Sequence, residues 1–237
     1  MPIGIIIDVC GVALGGIIGS MLGGGLSERF TRNINMIFGL ASMGMGISTI
    51  CLMENMPPVV LSLVAGTSIG LIIHFGDRIN SGAALMQQKI GGDSYTKEQM
   101  DLLVTTIVLF CASGTGIYGA MISGMSGDHS ILIAKAILDF FTAIIFGCTL
   151  GRVLALVAVP QAVIMLALFF LAGLIFPLTT PSMINDFKAC GGFIMVATGF
   201  RILQLKMFPT ADMIPAMILV MPLSAFWTGC VMPLLGG

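Results

Sequence analysis

The stretch Gly4–Phe30 reads GIIIDVCGVALGGIIGSMLGGGLSERF, and its reading decides the fold. An apolar run long enough to cross a bilayer as a helix carries one acid, Asp8, near its start. Gly11, Gly15, Gly19 and Gly23 recur every four residues along it. On a helix, positions i+3, i+7 and i+11 share a face with i, so Asp8 stands on the face of Gly11, Gly15 and Gly19. Small residues at that spacing let a second helix approach closely in a membrane. The acid therefore points at protein, or at a cavity in protein, and not at lipid. A carboxylate at membrane depth costs roughly 2.5–3.5 kcal/mol on insertion scales, so it marks either a functional group or a hydrogen-bonded residue that glues helices together.

The rest of the chain agrees. Of its 237 residues 57% are hydrophobic and 9% charged, with a mean hydropathy of +1.07, whereas a soluble domain is about 25% charged. These values describe an all-α polytopic membrane protein. The net charge of −1 offers no field for nucleic acid. The first run lacks a basic leader and an A-x-A site, and reads as a retained helix. The six cysteines form no C-x-x-C clip and read as packing residues, so neither a metal nor a cofactor is expected.

About eight spans are predicted, at 3–25, 34–53, 58–75, 101–123, 131–150, 153–176, 188–206 and 212–233. The one long hydrophilic segment runs from His74 to Asp101, with room for a short surface helix over Ala83–Ile90, broken at Gly91-Gly92. One set of loops holds Arg29, Arg32, Arg78, Lys89, Lys97, Arg152, Arg201 and Lys206, and the opposite set holds Lys188 alone. That bias puts the first set in the cytoplasm and both termini outside.

GLASMGMGIS (Gly39–Ser48) and GFIMVATGFR (Gly192–Arg201) align, with Gly39 and Gly46 over Gly192 and Gly199 and Leu52 over Leu205. The match suggests an inverted repeat of spans 1–3 and 6–8 around a central hairpin of spans 4–5, an arrangement common in secondary transporters. The chain is then one transmembrane domain: a first repeat over 1–75, a cytoplasmic loop over 76–100, the hairpin over 101–150 and a second repeat over 151–237.

Three ionisable groups are predicted at similar depth. Lys135 and Asp139 stand at i,i+4 on span five, within mutual reach. At 1.5 Å per residue, Asp8 lies roughly 7 Å below the outer end of its span, Lys135 roughly 6 Å and Asp139 roughly 12 Å. If all are charged they sum to −1, which a proton, Na⁺ or an ammonium-bearing solute completes. Asp8, Lys135 and Asp139 are thus candidate substrate- or ion-binding residues. The alternative is a self-neutralised Lys135–Asp139 pair that lowers insertion cost.

Gly114-Thr-Gly-Ile-Tyr-Gly119 spells G-x-G-x-x-G, but an apolar helical run surrounds it where a nucleotide site needs a strand and a βαβ unit. Close packing or local unwinding of span four is expected, with Gly116 and Gly119 as hinges. Gly127, Asp128 and His129 open span five. There an acid is ordinarily a helix cap, and the functional alternative is an external, pH-sensitive gate. Pro215 and Pro222 predict kinks in span eight, and Trp227 an interfacial anchor. No HExxH, Walker or Ser-His-Asp pattern is present, so no enzyme is expected.

The chain resembles the bacterial membrane family known as domain of unknown function 554. The likeness rests on Gly15-Gly16-Ile-Ile-Gly19, the loop Ser27–Phe30, Gly39-Leu40, and most specifically Gly124-Met-Ser-Gly127-Asp128 followed by Lys135 and Leu138-Asp139. Gly192, Gly199, Lys206 and Ile214-Pro215 extend it. The resemblance implies a multi-span bacterial inner-membrane protein and carries no activity. Members typically hold Asn near Asp8, and Asn where this chain has Asp212-Met213. That departure implies an amide suffices there and makes Asp139 the stronger proton-carrying candidate.

From these residues the expected function is a small secondary transporter or channel for a small polar or cationic solute, embedded in the lipid bilayer and homo-oligomeric through its glycine faces. The alternative is a membrane scaffold or sensor acting through the 74–101 loop.

Overall fold

The computed structural model describes residues 1–23, 27–90, 97–111 and 113–234. Every regular element among them is helical: α1 (Ile3–Leu22), α2 (Glu28–Ile50), α3 (Met56–Ile72), α4 (Phe75–Ile90), α5 (Lys97–Cys111), α6 (Gly114–Ser126), α7 (Ser130–Leu150), α8 (Val153–Leu156), α9 (Ala158–Ile175), α10 (Pro181–Ile202) and α11 (Ile214–Phe226). A π-helical turn, Trp227–Val231, and a last turn, Met232–Leu234, follow α11. Six stretches are long and apolar enough to cross a membrane, or seven if α3 and the start of α4, bent by 59°, count as one. The bend falls at His74, whose φ of 53° is left-handed. Helix α10 has the length but carries Asp186, Lys188 and Arg201, and is not among the six.

The described residues form two compact units, Met1–Ile37 with Asp77–Leu174, and Phe38–Gly76 with Ile175–Gly237.

In the first unit α1 and α7 run parallel, meshed through their backbones. A methyl group at Gly11 would stand 3.2 Å from the Ala136 carbonyl oxygen, and at Gly15 and Gly19 it would strike those of Phe140 and Ile144. Each step is four residues on both helices. Gly147 answers from α7, where a methyl would come within 2.9 Å of the Gly16 oxygen. The glycine stripe thus sets a register that larger side chains would forbid. Two apolar layers pack around it, one built on Val12, Ile107, Phe110 and Leu154, the other on Ile5, Ala120, Leu132 and Met165.

In the second unit the glycines aligned by sequence pack against one another. A methyl at Gly46 would meet the Gly192 oxygen at 2.6 Å, and one at Gly199 would meet the Gly39 oxygen at 2.7 Å. Ser42 Oγ donates to the Met195 carbonyl at 2.9 Å in the same seam. Helices α3 and α11 pack antiparallel, Gly66 against Ala216 and Gly70 against Asp212.

Several boundaries differ from expectation. Helix α10 starts at Pro181, not near 188, because the Thr180 side chain caps it at Met183 N and Pro181 supplies a preset φ. Span four is two helices, α5 and α6, with the Ser113 side chain capping the second at Gly116 N, 3.1 Å away. Pro215 lies in the first turn of α11, where a missing N–H breaks no helical bond, so Pro222 alone is interior. The surface helix of the polar segment begins at Phe75 and not at Ala83, and Gly91-Gly92 lies outside the described residues.

Candidate functional site

The α1–α7 register delivers Asp8 to span five. Its neighbours on α1, Gly4 and Gly11, sit against Leu132 and Ala136, so Asp8 falls opposite Lys135. Lys135 Nζ donates to Asp8 Oδ2 at 3.0 Å and also to Asp139 Oδ2, one turn further along α7. The three groups matched by depth are therefore in contact. None is more than 8% exposed, so the charges are held away from bulk solvent. The ammonium lies 6.0 Å from the centroid of the Phe110 ring, at the edge of cation–π range.

A fourth residue completes the cluster. Gln161, on α9 and fully buried, donates from Nε2 to Asp8 Oδ2 at 2.9 Å. Asp8 Oδ2 thus receives two donors while Asp8 Oδ1 receives none, and Gln161 Oε1 likewise accepts nothing among the described residues. Sequence reasoning passed over Gln161 because a single neutral amide in a long apolar run carries no charge to count. A signal existed: the offset of 153 that carries Gly39 to Gly192 and Gly46 to Gly199 also carries Asp8 to Gln161.

The expected hinge residues divide. Gly116, in the first turn of α6, leaves room for the Lys135 stem; a methyl there would lie 3.0 Å from Lys135 Cε and 2.6 Å from Met165 Cε. Gly119 accommodates Leu132. Gly127, at φ 72°, ends α6 in the left-handed conformation that favours glycine. Asp128 Oδ1 accepts from Ser130 N at 2.9 Å in an Asx-type turn ahead of α7, whose N-cap His129 makes no side-chain cap bond. The His129 ring shares a hydrogen bond with Ser123 Oγ at 2.7 Å, tying the end of α6 to the start of α7. These last two residues border the turn between α6 and α7.

The second unit holds a different polar knot. Asp186 Oδ1 accepts from Glu54 N at 3.0 Å and Asn55 N at 2.8 Å, and its Oδ2 from Asn55 Nδ2 at 3.0 Å and Ser224 Oγ at 2.6 Å. Asp212 Oδ1 accepts from Gly76 N at 2.8 Å and so caps α4. Both acids were outside the predicted site. All six cysteines are free thiols, and among the described residues no group of His, Cys, Asp and Glu is arranged to hold a metal ion.

Three comparisons bear on this architecture. Residues 3–225 match the model of a family described as protein of unknown function (DUF554). The chain is 47% identical over 235 residues to the uncharacterized protein YqgA of Escherichia coli (strain K12), covering 96% of this chain and 98% of that one. It is 24% identical over 221 residues to the uncharacterized membrane protein YdfK of Bacillus subtilis (strain 168), covering 91% and 93%. No solved structure matches.

Proposed function

We propose, from the premise that the chain belongs to the DUF554 family and is a polytopic helical membrane protein, that it is a secondary transporter or channel for a small polar or cationic solute. One observation carries this reading: a buried, hydrogen-bonded cluster of two carboxylates and one ammonium, formally −1, between apolar helices. Ionisable groups are expensive inside a membrane and are retained there where they meet a solute, an ion or a proton. A self-neutralised pair would account for Lys135 and Asp139 but not for the second carboxylate of Asp8.

The inverted repeat supports the same reading. Under the offset of 153, α2 falls on α10 and α1 on α9, and the glycine contacts Gly39–Gly199 and Gly46–Gly192 exchange with each other. Transporters built on inverted repeats hold their solute between the halves near mid-membrane. In this arrangement α10 counts as an eighth span, both termini lie outside a bacterial inner membrane, and the turn of Gly127, Asp128 and His129 stands at the external mouth. The remaining glycine faces favour a homo-oligomer.

The test is flux in liposomes. Reconstituted protein moves an alkali cation, protons or ammonium, and Asp139→Asn lowers that flux at least tenfold while the helical spectrum and gel-filtration profile hold. Absence of flux for every cation and amine tried overturns the proposal. A scaffold or sensor is the second reading, favoured by the anchoring of α4 through Asp212. It predicts instead that shortening the 74–101 segment abolishes function while Asp139→Asn is silent.

A further inference from the structure

We infer that the solute site is a small alkali-cation site whose two defining ligands are Asp8 Oδ1 and Gln161 Oε1. The inference rests on the transport reading for its purpose, but its chemistry stands on the cluster alone.

Both oxygens are completely buried and accept no hydrogen bond among the described residues. Their side chains are joined to each other through Nε2 and Oδ2 at 2.9 Å, so the two free oxygens belong to one locality. A buried acceptor without a donor is costly, and two of them on directly bonded side chains favour a common partner. With all three groups ionised, Asp8, Lys135 and Asp139 together carry one negative charge, which favours a partner of positive character.

The pattern at Asp8 selects among cations. Oδ2 already receives two N–H donors, one of them charged, which is the pattern of an ionised carboxylate and leaves Oδ1 as a pure acceptor. An amide oxygen and a carboxylate oxygen are the hard ligands that alkali and alkaline-earth ions take. One uncompensated charge fits a monovalent ion; a divalent ion would leave the buried cluster positive. An organic ammonium needs space beyond its nitrogen, and the near-zero exposure of Asp8 and Gln161 within packed helices leaves the ligand small. Gln161 sits at the Asp8 position under the repeat offset, so each half contributes one oxygen. An ion held this way senses any displacement of α1 relative to α9.

Lys135 acts in this site as a tethered competitor. Its ammonium occupies Oδ2 of both carboxylates and limits how much charge an incoming ion meets. Affinity is thereby kept low enough for release.

Binding is measured on the detergent-purified full chain at constant ionic strength, exchanging choline chloride for LiCl, NaCl or KCl, by calorimetric titration and by the shift of thermal midpoint. Li⁺ or Na⁺ raises the midpoint over choline, and Gln161→Met and Asp8→Asn each weaken that binding at least tenfold. Should Gln161→Met fail to fold, the wild-type cation series decides: an equal response to choline and to every alkali ion overturns the inference. So does a midpoint that follows pH and ignores the cation, which would put a proton on the cluster, or an unaltered affinity in a folded Gln161→Met. Titration with neither heat nor a midpoint shift for any ion also overturns the inference and leaves a bridging water only. Alkali binding without flux leaves this site standing and removes the transport reading; flux without alkali binding does the reverse.

Discussion

Asp8 and Asp186 both have no exposed surface, and they are held in opposite ways. Asp186 sits in the second unit with four neutral donors divided evenly between its oxygens. Those donors come from the turn before α3 and from α11, so the carboxylate staples both to α10. Asp8 sits in the first unit with two donors on one oxygen and none on the other. It has a charged partner where Asp186 has four neutral ones. A saturated carboxylate is architecture, because it has no valence left to offer. A half-used one beside an ammonium has capacity for a further ligand.

The largest effect that would test this contrast comes from removing the charged partner. Lys135→Met leaves two buried carboxylates facing each other, a loss of about 3–5 kcal/mol by the behaviour of broken buried ion pairs. Thermal unfolding in detergent measures it, and adding Asp139→Asn to the same chain recovers at least half. A loss confined to under about 1 kcal/mol would mean that the cluster is not charged as drawn.

Next comes Asp186→Asn. The amide nitrogen must face donors on one side or the other, and the charge assistance to all four bonds is lost, at about 2–3 kcal/mol. The expected signature is a lower midpoint with no change in ion selectivity.

The same substitution at Asp8 gives the smallest effect on stability. Oδ1 faces no donor, so an amide nitrogen fits there without conflict, and Lys135 keeps Asp139. Asp8→Asn changes stability by under about 1 kcal/mol on the scale of a single hydrogen bond, while ion binding falls. If it instead destabilises as much as Asp186→Asn, the two acids are doing the same job and the contrast fails.

Helical periodicity alone placed Asp8 on the glycine face, because i+3 and i+4 spacing needs no knowledge of partners. Charge counting and helical rise then matched the depths of Asp8, Lys135 and Asp139, and the structure brings the three together. Lateral contact was beyond that reasoning; it depends on α1 and α7 sharing a four-residue glycine register across a sequence separation of 127. Gln161 was illegible for a related reason. Its role comes from a neighbour's unused valence, which no local pattern records. The polar run Ser182–Lys188 read as loop because the burial of Asp186 is made tolerable by donors from Asn55 and Ser224, distant in sequence. The interior position of Pro222 was legible, whereas Pro215 needed the position of the helix start to be interpreted.

The parallel mesh of α1 with α7 also sets an order of events during synthesis. Asp8 and Lys135 are 127 positions apart. At a synthesis rate on the order of 5–20 residues per second, the lysine follows the aspartate by roughly 6–25 s. For that interval α1 is a finished apolar helix carrying an acid with no ammonium to meet it. It must wait at the insertion machinery, borrow a proton, or stay near the surface until α7 arrives. The glycine face that later receives the backbone of α7 is meanwhile open to any other small-residue helix in reach. Delivery of α7 is therefore the step that commits α1 to its final depth.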